Sequence, residues 1–346
     1  MNITETIRRL KVLRVEEEGL VAVKGYTLYY RNNGSKKWER YARINDGINS
    51  LLAMFPLSRR LTRAEITKCY KLRDESELCI ARKGIFRRGT NEKKLKKVFN
   101  VIRGSRPMNI CENADGTLYF GEYFANMEKK AVHIYRSTDS GNNWDICYTF
   151  PDGNINHIHG IFLDPYTNRM WFATGDRKNE CIIGYTEDGF KTTTEVFRGG
   201  QDFRSCVLFF YKDFIVFGTD SQYQQNVLKY FDRETLEIKE ICKVQGPIIK
   251  GTQVGGVSMI STDVEPSDVN TTRNVYLWMT EDGLNWEELY HAEKDCLNPT
   301  LFQFGVFDLP QYTSDYKGKQ LYATGKALKK CGGDTLVFLK QRNNSL

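Results

Sequence analysis

The chain has 346 residues with a formal charge of +7, 40% hydrophobic and 27% charged, proportions of an ordinary globular protein that exclude a disordered or fibrous one. No run approaches the roughly 18 apolar residues of a membrane span, and the opening ten residues hold no apolar stretch of signal-peptide length, so a cytoplasmic location is expected. Nine cysteines are scattered singly with no CxxC pair, which argues against a disulfide framework or zinc cluster and for small core hydrophobes in a reducing compartment.

Aromatic residues are 13%, and 28 Gly stand against 8 Pro, a mixture suited to many short strands joined by glycine turns. In chain order, residues 7–13 read as a first strand, and Asn32-Asn33-Gly34 with Trp38 as a worn hairpin. Residues 50–64 are the one short helix expected. From Arg59 to Arg103 there are 15 Lys or Arg against 5 Asp or Glu, a basic stretch suited to an anionic surface or a solvated hairpin face. No nucleic-acid motif accompanies it.

The repeat follows. Ser137-Thr138-Asp139-Ser140-Gly141-Asn142-Asn143-Trp144 fits S-x-D-x-G-x-x-W, between strand-like runs on either side. Thr186-Glu187-Asp188-Gly189 and Thr280-Glu281-Asp282-Gly283-Leu284-Asn285-Trp286 are shorter copies. Their aspartates lie 49 and then 94 residues on, close to one period and two. The spacing has a physical reason. An Asp accepts backbone N–H groups of its own turn, Gly supplies the positive φ, and Trp covers the hairpin. The chain therefore resembles the aspartate-box (sialidase-like) β-propellers. The resemblance implies an all-β fold: a single β-propeller, residues 1–346, of about seven four-stranded blades, closed by the N-terminal strand beside residues 335–340. A period of about 47 residues places inner-strand starts near Met108, Ile158, Cys206, Gly256 and Phe302. Residues 261–273 read as a surface excursion.

Strand direction then separates structure from site. The boxes fall in the third-to-fourth hairpin of each blade, away from the mouth where first strands start and second strands end. At that mouth come Arg106, then His157 and His159, then Arg204, and a parallel series of glycine followed by charge: Gly121-Glu122-Tyr123, Gly175-Asp176, Gly218-Thr219-Asp220 and Gly325-Lys326. Glu122, His157, His159, Asp176 and Asp220 are the candidate catalytic groups, and Arg106, Tyr123, Arg204 and Lys326 the candidate substrate-binding groups. His157 and His159 share one side of a strand, and three uses stay open for them: hydrogen bonding, acid–base work, or a divalent metal if Glu122 or Asp176 came within reach. Asp164-Pro165 reads as a turn.

Sialidase-like enzymes hold a carboxylate with three arginines and use a Tyr–Glu pair. Only Arg106 and Arg204 are at hand here, Ser105-Arg106-Pro107-Met108 replaces the F/Y-R-I-P motif, and adjacent Glu122 and Tyr123 should diverge. The expected function is thus a carbohydrate-active propeller, hydrolase- or lyase-like, acting on or binding a polar or acidic glycan at the mouth. The alternatives are a non-catalytic propeller binding a glycan or protein, and an anionic-surface or nucleic-acid binder using the basic stretch.

Overall fold

In the computed structural model, which describes residues 2–340, seven blades of four antiparallel strands follow one another around a ring. Met1 and residues 341–346 of the expected single domain lie outside the described residues. Blade 1 comprises Lys11–Val15, Gly19–Lys24, Thr27–Asn32 and Glu39–Ile44. Blade 2 is Lys68–Lys71, Glu77–Ala81, Gly84–Arg88 and Lys94–Asn100. Blade 3 opens on the short Cys111–Glu112, then Leu118–Gly121, Val132–Ser137 and Asp145–Phe150. Blade 4 is His157–Leu163, Met170–Gly175, Cys181–Thr186 and Thr194–Gly199. Blade 5 is Ser205–Phe210, Phe214–Thr219, Asn226–Asp232 and Ile238–Val244. Blade 6 is Ile248–Val254, Val257–Val264, Asn274–Thr280 and Glu287–Glu293.

Blade 7 takes Gly305–Asp308, Gln320–Lys326 and Thr335–Leu339 from the C-terminal end and Ile3–Ile7 from the N-terminal end. Ile7 pairs with Thr335 and Glu5 with Val337, so the two ends of the chain share one sheet and no blade edge is left by an opening in the ring. The expected strand at 7–13 is in fact two strands. Arg9 turns the chain at φ 55°, and Asp334 accepts from its backbone N–H at 2.8 Å and from Arg8 Nη1 at 2.7 Å. Lys11–Val15 therefore opens blade 1 instead of completing blade 7.

Each blade-to-blade interface has its own apolar cluster. Leu28 and Phe86 sit between blades 1 and 2, Phe120 and Ile80 between 2 and 3, Phe150 and Ile158 between 3 and 4. Trp171 and Phe217 join blades 4 and 5, Val216 and Ile260 blades 5 and 6, Met279 and Phe307 blades 6 and 7, Val12 and Tyr322 blades 7 and 1. Burial of each such side chain is worth about 1.5–3 kcal/mol, and every blade depends on two neighbours for it.

The phase of the expected inner strands needs correction at blade 6. Gly256 lies in the turn between the first two strands, and the inner strand is Ile248–Val254. That strand is half polar, so its apolar signal is weak beside the fully buried Val257–Val264. Its Gly251 leaves no room for a side chain: a Cβ there would meet Phe209 Cζ at 2.7 Å. Phe302 ends a short helix, and blade 7 begins at Gly305. The excursion expected at 261–273 starts after Val264, since Ser261 to Val264 belong to a strand. The expected helix at 50–64 is two short ones, α1 (Ile48–Leu52) and α2 (Pro56–Thr62), on the loop from blade 1 to blade 2.

Candidate functional site

The three aspartate boxes occupy the third-to-fourth hairpins of blades 3, 4 and 6. Asp139 accepts from the Asn143 backbone N–H at 2.9 Å and its amide at 2.7 Å. Asp188 accepts from the N–H groups of Lys191 and Thr192, both at 3.0 Å. Asp282 accepts from those of Leu284 and Asn285, at 2.9 and 2.8 Å. Trp144 and Trp286 donate their ring N–H to the box glycines Gly141 and Gly283 at 3.1 and 2.9 Å. These carboxylates are consumed by their own turns. Asp164 is likewise closed, fully buried and gripped by Arg233 at 2.5 and 3.1 Å.

The opposite face carries the polar mouth. His157 pairs with Gly175, Ser205 with Thr219 and Val306 with Lys326, so inner-strand starts and second-strand ends meet there in successive blades. His157 and His159, 5% and 2% exposed, point the same way from their strand. Their Nε2 atoms lie 3.0 Å apart. Asp176 follows Gly175 and places Oδ1 at 3.0 Å from His159 Nε2 and Oδ2 at 3.3 Å from His157 Nε2. Tyr123 stacks obliquely on His157, ring centroids 4.3 Å apart.

Arg204, buried just before blade 5, bridges two carboxylates: Nε is 3.2 Å from Asp176 Oδ1, and Nη2 is 3.4 Å from Asp220 Oδ2. Burial would raise the Asp176 pKa, but hydrogen bonds from the His pair and their charge hold it far below the usual carboxylate range. Asp220 goes the other way, pushed up by burial against the pull of Arg204. Two acids beside Asp220 escaped the sequence reading. Asp263 is 3% exposed with Oδ1 lacking a hydrogen-bond donor, and burial raises its pKa well above normal. Glu265 is pushed up to about 7 by burial and by Asp220.

Glu122 does not join this group. Its carboxylate is held by Arg103, with Nε at 3.0 Å from Oε1, and by the His133 backbone N–H at 2.9 Å. It braces blade 3.

Arg106 and Lys326 belong to a second, cationic half of the mouth. Lys326 Nζ is 3.0 Å from Asp308 Oδ2 and 3.3 Å from Glu65 Oε1. Lys11 Nζ reaches the same two carboxylates only at 3.6 and 3.5 Å, and makes no hydrogen bond although the residue is 8% exposed. Arg106 Nη1 is also buried without an acceptor. Lys250 Nζ lies 3.8 Å from Asp308 Oδ1, and Lys68 feels the charges of Asp308, Lys11 and Lys326. Five cations thus share Glu65 and Asp308. The crowding acts on the carboxylate: burial would raise the Glu65 pKa, yet Lys11 and Lys326 bring it down to about 2. Burial lowers Lys250 to about 8 with help from Lys326, Lys68 and Arg106, against Asp308.

A cleft of about 590 Å³ leads to this cluster, lined by Lys11, Arg59, Arg60, Glu65, Asp308 and Lys326 among others. Met54, between α1 and α2, and Pro56, at the start of α2, rim it, and Leu51 and Phe55 are exposed alongside. A narrower space of about 220 Å³ runs down the axis past Lys68, His159, Cys206 and Lys250. The missed lysines had one usable signal: Lys11 and Lys68 open their inner strands at the register of His157.

No protein-family model and no curated protein matches the sequence. Solved structures do match in fold. The chain aligns over 98% of its length with 97% of the WD40 β-propeller domain of Doa1, at TM-score 0.59 and 10% identity. It aligns over its full length with 98% of YCF48 bound to D1 peptide, at TM-score 0.58 and 11% identity. With the extracellular domain of the putative one component system BT4673 from B. thetaiotaomicron it shares 12% identity and TM-score 0.59, spanning 41% of that chain. Identities this low establish the β-propeller and nothing finer. Among the described residues no helix is long and apolar enough to cross a membrane.

Proposed function

We propose that this chain is a ligand-binding propeller whose mouth captures an acidic glycan through the cationic half of the site, without chemistry of its own. The observation carrying this reading is the cluster of Lys11, Lys68, Lys250, Lys326 and Arg106 around only Glu65 and Asp308, in which Lys11 Nζ has ion pairs at 3.5 and 3.6 Å but no hydrogen bond and Arg106 Nη1 is buried without an acceptor. A buried cation lacking an acceptor is costly, and a carboxylate-bearing ligand entering the cleft would supply the acceptors. The full-chain fold likeness to a propeller with a bound peptide agrees with a binding role. The three aspartate boxes support a divergent member of the sialidase-like propellers. The missing arginine triad, with Arg106 and Arg204 drawn into separate halves of the mouth, speaks against that family's chemistry.

The test is calorimetric titration with uronate oligosaccharides against neutral oligosaccharides of equal length. Only the acidic series should bind, and Arg106→Gln or Lys250→Met should weaken it about tenfold or more, the scale of one lost charged hydrogen bond. Equal binding of neutral sugars, or no binding of either series, would sink the reading.

A second reading is a glycan-cleaving enzyme, in which Asp176, held low by the histidine pair, would serve as base and Glu265, pushed up to about 7 by burial, as acid. Release of shorter or unsaturated products from the same oligosaccharides would decide for it.

A further inference from the structure

We propose that His157, His159 and Asp176 form a binding site for a divalent transition-metal ion, facing the axial cavity. The inference starts from the far side of the two rings. His157 Nδ1 lies 2.9 Å from the Phe124 carbonyl oxygen, and His159 Nδ1 lies 3.0 Å from that of Ser205. A carbonyl only accepts, so each Nδ1 carries a proton and Nε2 is the nitrogen each ring has left for a metal once unprotonated. The Asn156 amide, 3.2 Å from His157 Nδ1, gives its N–H to Asp176 Oδ2 at 2.9 Å.

The two Nε2 atoms, the nitrogens left for binding, lie 3.0 Å apart, with Asp176 oxygens at 3.0 and 3.3 Å. Three groups able to ligate a metal thus converge where neither histidine is more than 5% exposed. A metal ion there would replace the protons that otherwise join these groups. With metal–ligand bonds of about 2.1 Å, the 3.0 Å between the two Nε2 atoms corresponds to an angle of about 90° at an ion, within the range a six-coordinate site uses. His159 also lines the axial space of about 220 Å³.

The surroundings match a metal site in kind. Both ligand rings are oriented by backbone carbonyls through the nitrogen not used for binding, the usual outer support of a metal-bound imidazole. Charge agrees as well. Asp176 and Asp220 both face one guanidinium, Arg204, and a dication beside Asp176 would add to that neutralisation. Arg204 Nε sits 3.2 Å from Asp176 Oδ1 but makes no hydrogen bond to it, so that oxygen is not taken by the guanidinium. A second donor set shares His159 with Cys206 and Asp220. There the thiol is spent on Asp220 Oδ2 at 3.4 Å, which favours the His157 set. Two imidazoles and one carboxylate suit Mn²⁺, Fe²⁺, Co²⁺, Ni²⁺ or Zn²⁺ over the all-oxygen preference of Mg²⁺ and Ca²⁺.

The experiment uses the full chain, stripped with a chelator and titrated separately with CoCl₂, ZnCl₂ and MnCl₂. The expected result is one equivalent bound, a rise in melting temperature, and visible Co²⁺ absorption bands of a mixed nitrogen–oxygen site. His159→Gln, which keeps a polar side chain, and Asp176→Asn should each weaken binding by at least about 100-fold, more than loss of an outer partner does. Circular dichroism confirms that the variants are folded. Wild-type protein that binds none of the three ions at 100-fold molar excess, or binds them with unchanged affinity in both variants, overturns the proposal. In that case the histidine pair shares a proton instead, visible as a ring N–H resonance in the metal-free protein.

Discussion

The imidazole of His159 lies where a side chain on Gly175 would have to be: a Cβ at that position would come within 2.3 Å of His159 Cε1. The glycine that ends the second strand of blade 4 is therefore part of the site, because it lets the ring sit flat against the backbone that presents Asp176. Gly175→Ala should force the ring to rotate off the Ser205 carbonyl. One lost buried hydrogen bond with local overpacking costs about 2–4 kcal/mol. Urea unfolding reads the loss, and a second site variant, Asp176→Asn, should cost less because it preserves the packing. A Gly175→Ala protein as stable as the wild type would mean the ring has a second seat.

Glu122 supplies a contrasting case. It follows a glycine at the same register as Asp176, yet Arg103 from the preceding blade-to-blade loop takes both of its oxygens. Glu122→Gln should lower stability by about 1–3 kcal/mol, as for a half-buried pair deprived of one charge. Affinity for acidic oligosaccharides should stay within about twofold, a change of under 0.5 kcal/mol. A stable variant that has lost binding would return Glu122 to the site.

How far the sequence led follows from how local each feature is. An aspartate box is made by seven or so contiguous residues, so Asp139, Asp188 and Asp282 were legible with their roles, and the hairpins fixed the blade order. The mouth series was legible because inner-strand starts and second-strand ends recur with the blades. Lys11, Lys68, Lys250 and Asp308 were not, since each is one polar residue in an ordinary strand and only closure of the ring brings blades 1, 2, 6 and 7 together. Glu122 misled for the same reason: its partner lies in another segment. The phase error at Gly256 came from an inner strand in which Lys250 and Gln253 break the apolar pattern.

Glu265 gives the structure a pH dependence with a definite sign. Burial raises its pKa from 4.5 to about 7, Asp220 and Asp176 add to the rise, and Arg204 opposes it. The folded state thus holds a proton that the unfolded chain has already lost, and stability should fall as pH climbs from about 4.5 through 7. With allowance for partial exposure the fall is on the order of 1–2 kcal/mol. Asp220 and Asp263, also raised by burial, act in the same direction. Glu265→Gln still accepts from Gln222 and should match the wild type at pH 5 while exceeding it at pH 8. Denaturant midpoints at four pH values would show this, and parallel profiles for the two proteins would refute it.

Lys250 links pH to binding. Burial lowers its pKa from 10.5 to about 8, Lys326, Lys68 and Arg106 lower it further, and Asp308 opposes them. Below pH 8 the ammonium is present and draws an anionic ligand. As pH rises through 8 it is lost, and affinity for a uronate oligosaccharide should fall by about tenfold, the equivalent of one unit of pKa coupling. A bound carboxylate in turn raises the Lys250 pKa, so binding at pH 9 should take up a proton. Calorimetry in two buffers of different ionisation heat measures that uptake directly. Lys250→Met should bind more weakly at pH 7 and lose both the pH slope and the proton uptake. A slope that survives in Lys250→Met would assign it to another group, with Lys68, also lowered by burial, the next to substitute.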